Sequence, residues 1–333
     1  MSRIISISIA PDLMMIRVPK HFSALWVLLI FSLALPIHSV FARDWQSPFY
    51  QGHGLTGKIW DTGKNAWITE ERLYTELLEY EFILLGETHD NPDHHLLQAQ
   101  ILDRLVAAGK KPAVVMEMLA QEGWLDQPAY WTDAGLLQQQ AAARNAGWPW
   151  ELYAPVLQSI VRNGLELVAG NIRSEALYTG IRNIGSGRTQ EIMARFPVSA
   201  EGLRQLEHDI VQSHCGYANP AFVQLMVGAQ MQRDLVITQA VVNSKPPVVL
   251  VAGSGHVRND YAVPKQLLGT FRRYSFLSVA LIPVHPGALA PQDYLKGIPD
   301  AFDILYFTPS HTREDPCIQF SKQLEGLRHK GIK

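Results

Sequence analysis

Two histidines follow apolar, strand-like runs at the same spacing. The run FILL at residues 82–85 leads into GETH, which ends at His89, and VVLVA at residues 248–252 leads into GSGH, which ends at His256. A short apolar run bounded by glycine is typical of a buried strand in a parallel sheet, and such strands end at a common edge. The pattern therefore predicts that both histidines reach one crevice at that edge, where α/β proteins bind ligands.

Two carboxylates accompany these histidines at predicted strand ends. Glu87 lies in the first loop, and Glu117 follows the apolar run VVM. Together with His89 and His256 they could bind a divalent metal ion, or form the catalytic set of a hydrolase in which each carboxylate orients a histidine. Each residue alone is more often structural. The coincidence of all four at strand ends favours a functional site.

A second group of candidates suits haem. His214 and Tyr217 lie in a glycine- and proline-containing break between predicted helices, and Tyr261 follows the second histidine loop. Tyrosine and histidine both ligate haem iron. Arg173, expected at the same sheet edge as the crevice, adds a cationic donor to this group, with a surface ion pair as its alternative role. The chain has no CxxCH motif, so covalent c-type haem is excluded.

Alternating strands and helices must position these residues. A helix that begins at Pro92 follows the first strand and carries His94, His95 and Gln98, one of which could donate to the crevice. The order predicts an α/β fold with a mainly parallel sheet flanked by helices. Strands are expected at residues 82–85, 113–116, 165–169, 248–252, 275–282 and 303–307.

A long stretch without a strand pattern separates the third and fourth of these strands. We interpret it as a small all-α subdomain, at about residues 174–243, inserted before the fourth strand. The α/β core then takes about residues 70–173 and 244–310 within a domain of residues 43–333. Helices are predicted near residues 174–184, 189–195, 199–213 and 221–242.

Residues 1–42 have the pattern of a cleavable signal peptide. Arg17 and Lys20 precede an apolar stretch, and small residues before position 43 predict cleavage after Ala42. The apolar stretch is shorter than the roughly 20 residues that span a membrane. With no cysteine near the cleavage point, we expect a periplasmic protein that is not lipidated.

Composition, net charge and cysteine usage indicate the class of protein. The 333 residues are 47% hydrophobic and 18% charged, which is typical of a globular protein. The formal net charge of −2 gives no indication of a nucleic-acid partner. Cys215 and Cys317 are compatible with one disulfide in an oxidising compartment or with two buried thiols.

Six short motifs in a fixed order resemble the ChaN-like haem-binding uptake family. That family belongs to a superfamily with Tiki-type proteases and erythromycin esterases, and the likeness covers about residues 70–310. The motifs are LLGETHDNP followed by HH at 94–95, VVMEML at 114–119, AGNIR at 169–173, SHCG at 213–216, AQMQRD at 229–234 and GSGHV at 253–257.

The resemblance implies a parallel-sheet α/β domain with a small helical domain, and a role in haem or iron uptake or storage. In that family a homodimer encloses two stacked haems, each held by a tyrosine. Here Tyr217 is the first expectation for that tyrosine, and Tyr261 is its rival. An outer-membrane haem receptor or periplasmic haem-binding components would be partners. The alternative is an esterase or metallopeptidase-like hydrolase, because such relatives use Glu and His residues of this site for catalysis.

Overall fold

An eight-stranded sheet is the centre of the described part of the chain. The computed structural model describes residues 43–313 except 125, 174–176, 178–197, 270–272 and 296, together with residues 317, 318 and 321. The strands are β1 (Ile59–Asp61), β2 (Ala66–Ile68), β3 (Phe82–Glu87), β4 (Ala113–Ala120), β5 (Leu167–Asn171), β6 (Val248–Gly253), β7 (Phe276–Pro283) and β8 (Ile304–Thr308).

The strand order is β2-β1-β8-β7-β3-β6-β4-β5. The six strands from β8 to β5 are parallel to one another, and β1 is antiparallel to both β2 and β8. These six parallel strands correspond to the six strands that the sequence predicted, so the predicted fold class is confirmed. The sequence pattern missed β1 and β2, because three residues are too few to show a periodicity.

Helices cover both faces of this sheet. On β3, Ile83 and Leu85 pack with the helices of one face, whereas Phe82 and Leu84 pack with those of the other. Burial on both faces explains why the parallel strands are continuously apolar. The helices are α1 (Glu70–Leu77), α2 (Pro92–Ala107), α3 (Ala134–Arg144), α4 (Ala154–Arg162), α5 (Ala200–Ser213), α6 (Pro220–Asn243) and α7 (Val263–Leu268).

The start of α2 shows why the chain turns away from the sheet directly after β3. The Asn91 side chain accepts a hydrogen bond from the Asp93 N–H group, and Pro92 occupies the first turn. An asparagine cap followed by proline is a strong helix start signal. The helix start therefore places His94, His95 and Gln98 in the first two turns of α2, shortly after the end of β3.

The helices between β5 and β6 form their own small apolar cluster. In this cluster α5 contributes Leu206 and Ile210, and the first half of α6 contributes Val223, Val227 and Met231. The second half of α6 packs on the sheet instead. The helices predicted near residues 174–184 and 189–195 lie outside the described residues, as does the predicted signal peptide.

A disulfide joins Cys215, in the loop between α5 and α6, to Cys317, with the two Cα atoms 5.3 Å apart. Of the two alternatives that the sequence left open, the structure therefore has the disulfide. Within the described ranges, no helix is long and apolar enough to cross a membrane.

Candidate functional site

The carboxylate of Glu87 is the centre of a buried polar network at the end of β3. Its Oε1 atom lies 2.9 Å from His89 Nδ1 and accepts a hydrogen bond from the Tyr153 hydroxyl. Its Oε2 atom accepts from Gln98 Nε2 at 2.6 Å and lies 3.3 Å from His95 Nδ1. Burial by itself would raise the pKa of Glu87, but His95 and His89 outweigh it and hold that pKa far below the usual range.

His89 is the accessible member of this network. Its side chain is 36% exposed, whereas that of Glu87 is fully buried. Its ring packs edge-on against Trp148, with the ring centroids 4.8 Å apart. Burial would lower the pKa of His89, but the bond to Glu87 and the charge of Glu117 raise it. Since Glu87 holds Nδ1, the Nε2 atom is left to meet a ligand or a water molecule.

Glu117, at β4, forms a second network with His256 and Asp234. Glu117 Oε1 lies 3.1 Å from His256 Nε2, and its Oε2 accepts the Gly253 N–H at 2.7 Å. His256 Nδ1 lies 2.6 Å from Asp234 Oδ1 on α6. Burial would lower the pKa of His256, but the two carboxylates raise it to about 10. His256 is therefore a buried imidazolium between two carboxylates.

Gly253, the last residue of β6, lies between the two networks. A Cβ atom added there would come within 2.8 Å of His89 Nε2 and 3.5 Å of Glu117 Oε2. The absence of a side chain lets His89 lie directly above the strand. We call Glu87, His89, Glu117 and His256 the strand-end crevice, and the structure places all four at the carboxyl edge of the sheet, as the sequence predicted.

The prediction of a divalent metal at these four residues is not supported. Within the described ranges, no group of three or more His, Cys, Asp or Glu side chains is arranged to hold a metal ion. The reason is that the lone pairs are engaged: both His256 nitrogens face carboxylates, and Glu87 accepts from Tyr153 and Gln98. The crevice is a hydrogen-bonded and ion-paired network.

The sequence predicted that one of three α2 residues donates to the crevice, and two of them contact Glu87. His95 and Gln98 both contact Glu87, and His95 Nε2 also lies 3.1 Å from the His89 carbonyl oxygen. His94 instead bridges the Thr88 N–H group and the Thr308 hydroxyl. Burial lowers the pKa of His94 to about 3, so it is a neutral core histidine.

The candidate haem residues lie in different surroundings. Tyr217, in the loop between α5 and α6, is 60% exposed, and His214 beside it packs edge-on against Phe222. Tyr261 is 3% exposed and donates to Asp209 at 2.9 Å. Burial and Asp209 raise the pKa of Tyr261 well above its usual value although Arg258 opposes them, so the phenol stays neutral.

Arg173, the fourth haem candidate, belongs to the sheet edge. It follows β5 and lines a cavity of about 480 Å³ together with Glu117, Arg144 and Arg233. Neither Arg144 nor Arg233 was a candidate from the sequence. Tyr153 and Asp234 were not assigned to the crevice from the sequence; Tyr153 directly precedes α4, Asp234 lies on α6, and they approach the crevice only in the folded chain.

A search of solved structures finds chains similar to this one. ChaN of Campylobacter jejuni, solved as a structure of cofacial haem binding, superposes with a TM-score of 0.61 at 21% identity, over 78% of this chain and 98% of that one. The erythromycin esterase EreC in its open conformation gives a TM-score of 0.43 at 12% identity, over 74% and 94% of the two chains. A search of curated proteins found no match.

A match to a family profile shows which family the chain belongs to. The profile described as haem-binding uptake, Tiki superfamily, ChaN matches residues 73–267, which is more than half of the chain. The matched range contains the strand-end crevice and Tyr217, and it confirms the resemblance seen in the motifs. The protein therefore belongs to the ChaN family of haem-binding uptake proteins, within the Tiki superfamily.

Proposed function

We propose that this protein binds haem in the periplasm during haem or iron uptake, with Tyr217 as the iron ligand. The observation that carries the proposal is an exposed tyrosine in a member of a haem-binding family. Tyrosine is an established axial ligand of haem iron, and an exposed phenol can reach a flat cofactor that a buried one cannot. Tyr261 fits poorly, because its hydroxyl donates to Asp209 inside the protein.

The surroundings of Tyr217 suit a porphyrin. The disulfide brings the chain near Cys317 beside the Tyr217 loop, and Ile318 is 50% exposed. An exposed apolar side chain on the segment that the disulfide joins to this loop offers a surface for one face of haem. The other face would remain open, and a second copy of this chain carrying its own haem would cover it. A haem-linked homodimer follows from the proposal.

The disulfide also supports the proposed location. Disulfides persist in oxidising compartments such as the periplasm and are rare in the cytosol. The pair formed by Cys215 and Cys317 therefore agrees with the signal-peptide pattern of residues 1–42. A periplasmic carrier of this kind would exchange haem with an outer-membrane receptor or with other periplasmic haem-binding proteins.

A hemin titration of residues 43–333, followed by absorbance and by sedimentation on the same samples, tests the proposal. We expect a saturable Soret shift and a change from monomer to dimer. Tyr217→Phe should abolish the tyrosinate spectrum, because phenylalanine keeps the ring but offers no oxygen. Tyr261→Phe, the matched control, should leave the titration unchanged. A titration without saturation, or one that both variants leave intact, would refute the assignment.

The strand-end crevice favours hydrolysis as a second candidate function. Glu87 holds Nδ1 of His89, and the imidazole is partly exposed beside Trp148. A neutral His89 could accept a proton at Nε2 from an attacking water molecule while Glu87 fixes its orientation. Esterase and peptidase panels should then detect an activity that His89→Ala removes and His208→Ala, an exposed histidine on α5, retains. An activity that persists in His89→Ala would come from elsewhere.

A further inference from the structure

The cavity beside the strand-end crevice is lined by several cationic residues. Its volume is about 480 Å³, within the range of small-molecule sites. The residues that line it include Arg144, Arg173 and Arg233 and one acidic residue, Glu117. That carboxylate already faces the imidazolium of His256 and the Gly253 N–H group.

The three arginines come from separate elements. Arg144 is the last residue of α3, Arg173 follows β5, and Arg233 lies on α6. Their meeting at one cavity is a product of the fold, since no single helix face carries all three. Like charges around a common space repel one another, and an anion between them would remove that cost. Guanidinium groups bind carboxylate and phosphate in a bidentate manner, which gives such a site its selectivity.

Two of the arginines have polar neighbours at the edge of the cavity. The Arg144 guanidinium contacts the Gln140 side chain, which is neutral. The nearby carboxylate of Glu122 accepts a hydrogen bond from the main-chain N–H group of Arg173 at 3.1 Å. Trp148 and Ile172 supply an apolar wall on the same cavity.

We propose that this cavity binds a small organic oxyanion, a carboxylate or a phosphate ester, with the charged group among the three arginines and the apolar part against Trp148 and Ile172. Because Trp148 also packs on His89, the bound molecule would lie beside the strand-end crevice. The inference does not rest on haem binding at Tyr217, so either proposal can fail without the other.

Calorimetric titration of haem-free residues 43–333 tests the site with phenyl phosphate and benzoate as probes and phenol as the neutral control. We expect saturable binding of at least one anion and none of phenol; whichever anion binds more tightly identifies the preferred group. Each of R144Q, R173Q and R233Q should weaken binding roughly tenfold or more, because each removes charge-assisted hydrogen bonds. R72Q, on the exposed pair with Glu76, should bind like the unmodified protein.

Melting temperatures of the variants show whether the fold is intact. Arg173 is the exposed one of the three arginines, so R173Q tests the site even if Arg144 or Arg233 supports folding. Absence of binding for both anions would overturn the proposal, as would binding that R173Q leaves unchanged. A third result would also overturn it: if hemin displaces phenyl phosphate and the arginine variants lose hemin affinity equally, the arginines hold the haem carboxylates.

Discussion

The strand-end crevice and the Tyr217 loop, residues 214–219, differ in the burial of their polar side chains. In the crevice, Glu87, Glu117 and His256 are buried, and each has charged or hydrogen-bonding partners. In the loop, Tyr217 is 60% exposed, and the backbone is anchored by the disulfide at Cys215. One region is part of the core, and the other is a surface attached to it.

Because of this difference, substitutions in the crevice should change the stability of the fold, whereas substitutions in the loop should change ligand binding. Buried charges are tolerated only while their partners remain, so a change in the crevice acts first on the free energy of unfolding. An exposed side chain contributes little to that free energy, and its replacement usually changes it by no more than about 0.5 kcal/mol. A ligand residue in the loop can therefore be altered without unfolding the protein, whereas a crevice residue cannot be judged without a stability measurement.

The largest effect on stability is expected for His256→Ala. The substitution leaves Glu117 and Asp234 buried without the imidazolium that balances them. Breaking a buried ion pair in this way costs about 3–5 kcal/mol, and urea unfolding would measure it. The exposed His208→Ala is the matched control and should change the free energy of unfolding little. Equal stability of the two variants would contradict the view of the crevice as core.

The pH dependence of the free energy of unfolding is a second test of whether the charged His256 stabilises the fold. The pKa of His256 is raised from 6.5 to about 10, so the folded state retains its proton over this range while the unfolded state loses it. The stabilisation is complete below 6.5 and is lost as the pH rises towards 10. His89 and His95, whose pKa values are also raised, add in the same direction.

Unfolding free energies measured across this pH window should therefore fall by a few kcal/mol. Glu117 does not interfere, because its pKa is lowered and its contribution is lost only under acidic conditions. Burial raises the pKa of Asp234 to about 6, which also lies below the window. In His256→Gln the slope against pH should be shallower than in the unmodified protein. Identical slopes would show that the imidazole is not charged in the folded state.

The crevice could be predicted from sequence because its main residues are attached to strands. Buried parallel strands are continuous apolar runs, and Glu87, His89 and His256 follow such runs directly. Local order along the chain thus gives the position of each residue on the sheet edge. Tyr153 and Asp234 could not be assigned to the crevice from sequence, because one precedes and the other lies on a helix whose packing on the sheet is set by tertiary contacts.

The Tyr217 loop and the arginine cavity were harder to predict from the sequence for a similar reason. The break between helices made Tyr217 the first candidate and Tyr261 its rival, and the burial of Tyr261 distinguishes them only in the structure. Arg144 ends α3 and Arg233 lies within α6, and no strand pattern in the sequence directs either residue to the sheet edge. Of these three arginines, only Arg173 was expected at the sheet edge from the sequence, and the cavity arises from the three together.

Removal of the disulfide tests the loop side of the comparison. The bond closes a loop across a sequence separation of 102 residues, and such loops lose much conformational freedom when closed. The Cys215→Ser, Cys317→Ser double variant should lose about 2–4 kcal/mol of unfolding free energy in a denaturant titration. Its hemin affinity should also fall, since the Tyr217 loop loses its anchor. A variant with lower stability and unchanged hemin affinity would show that the anchor serves only the fold.

The smallest effect is expected at Gly253, where the two networks meet. An added Cβ atom would lie 2.8 Å from His89 Nε2, so the imidazole must move outward, at a cost of about 1 kcal/mol. Moving away from Glu117 should lower the pKa of His89 towards its ordinary value, because that carboxylate is one cause of its rise. NMR titration of the His89 ring in Gly253→Ala would measure the change. Gly255→Ala is the matched control, since its nearest neighbour, Gln230 Nε2, is 3.8 Å away. The same His89 pKa in both variants would mean that the glycine is not what brings His89 to Glu117.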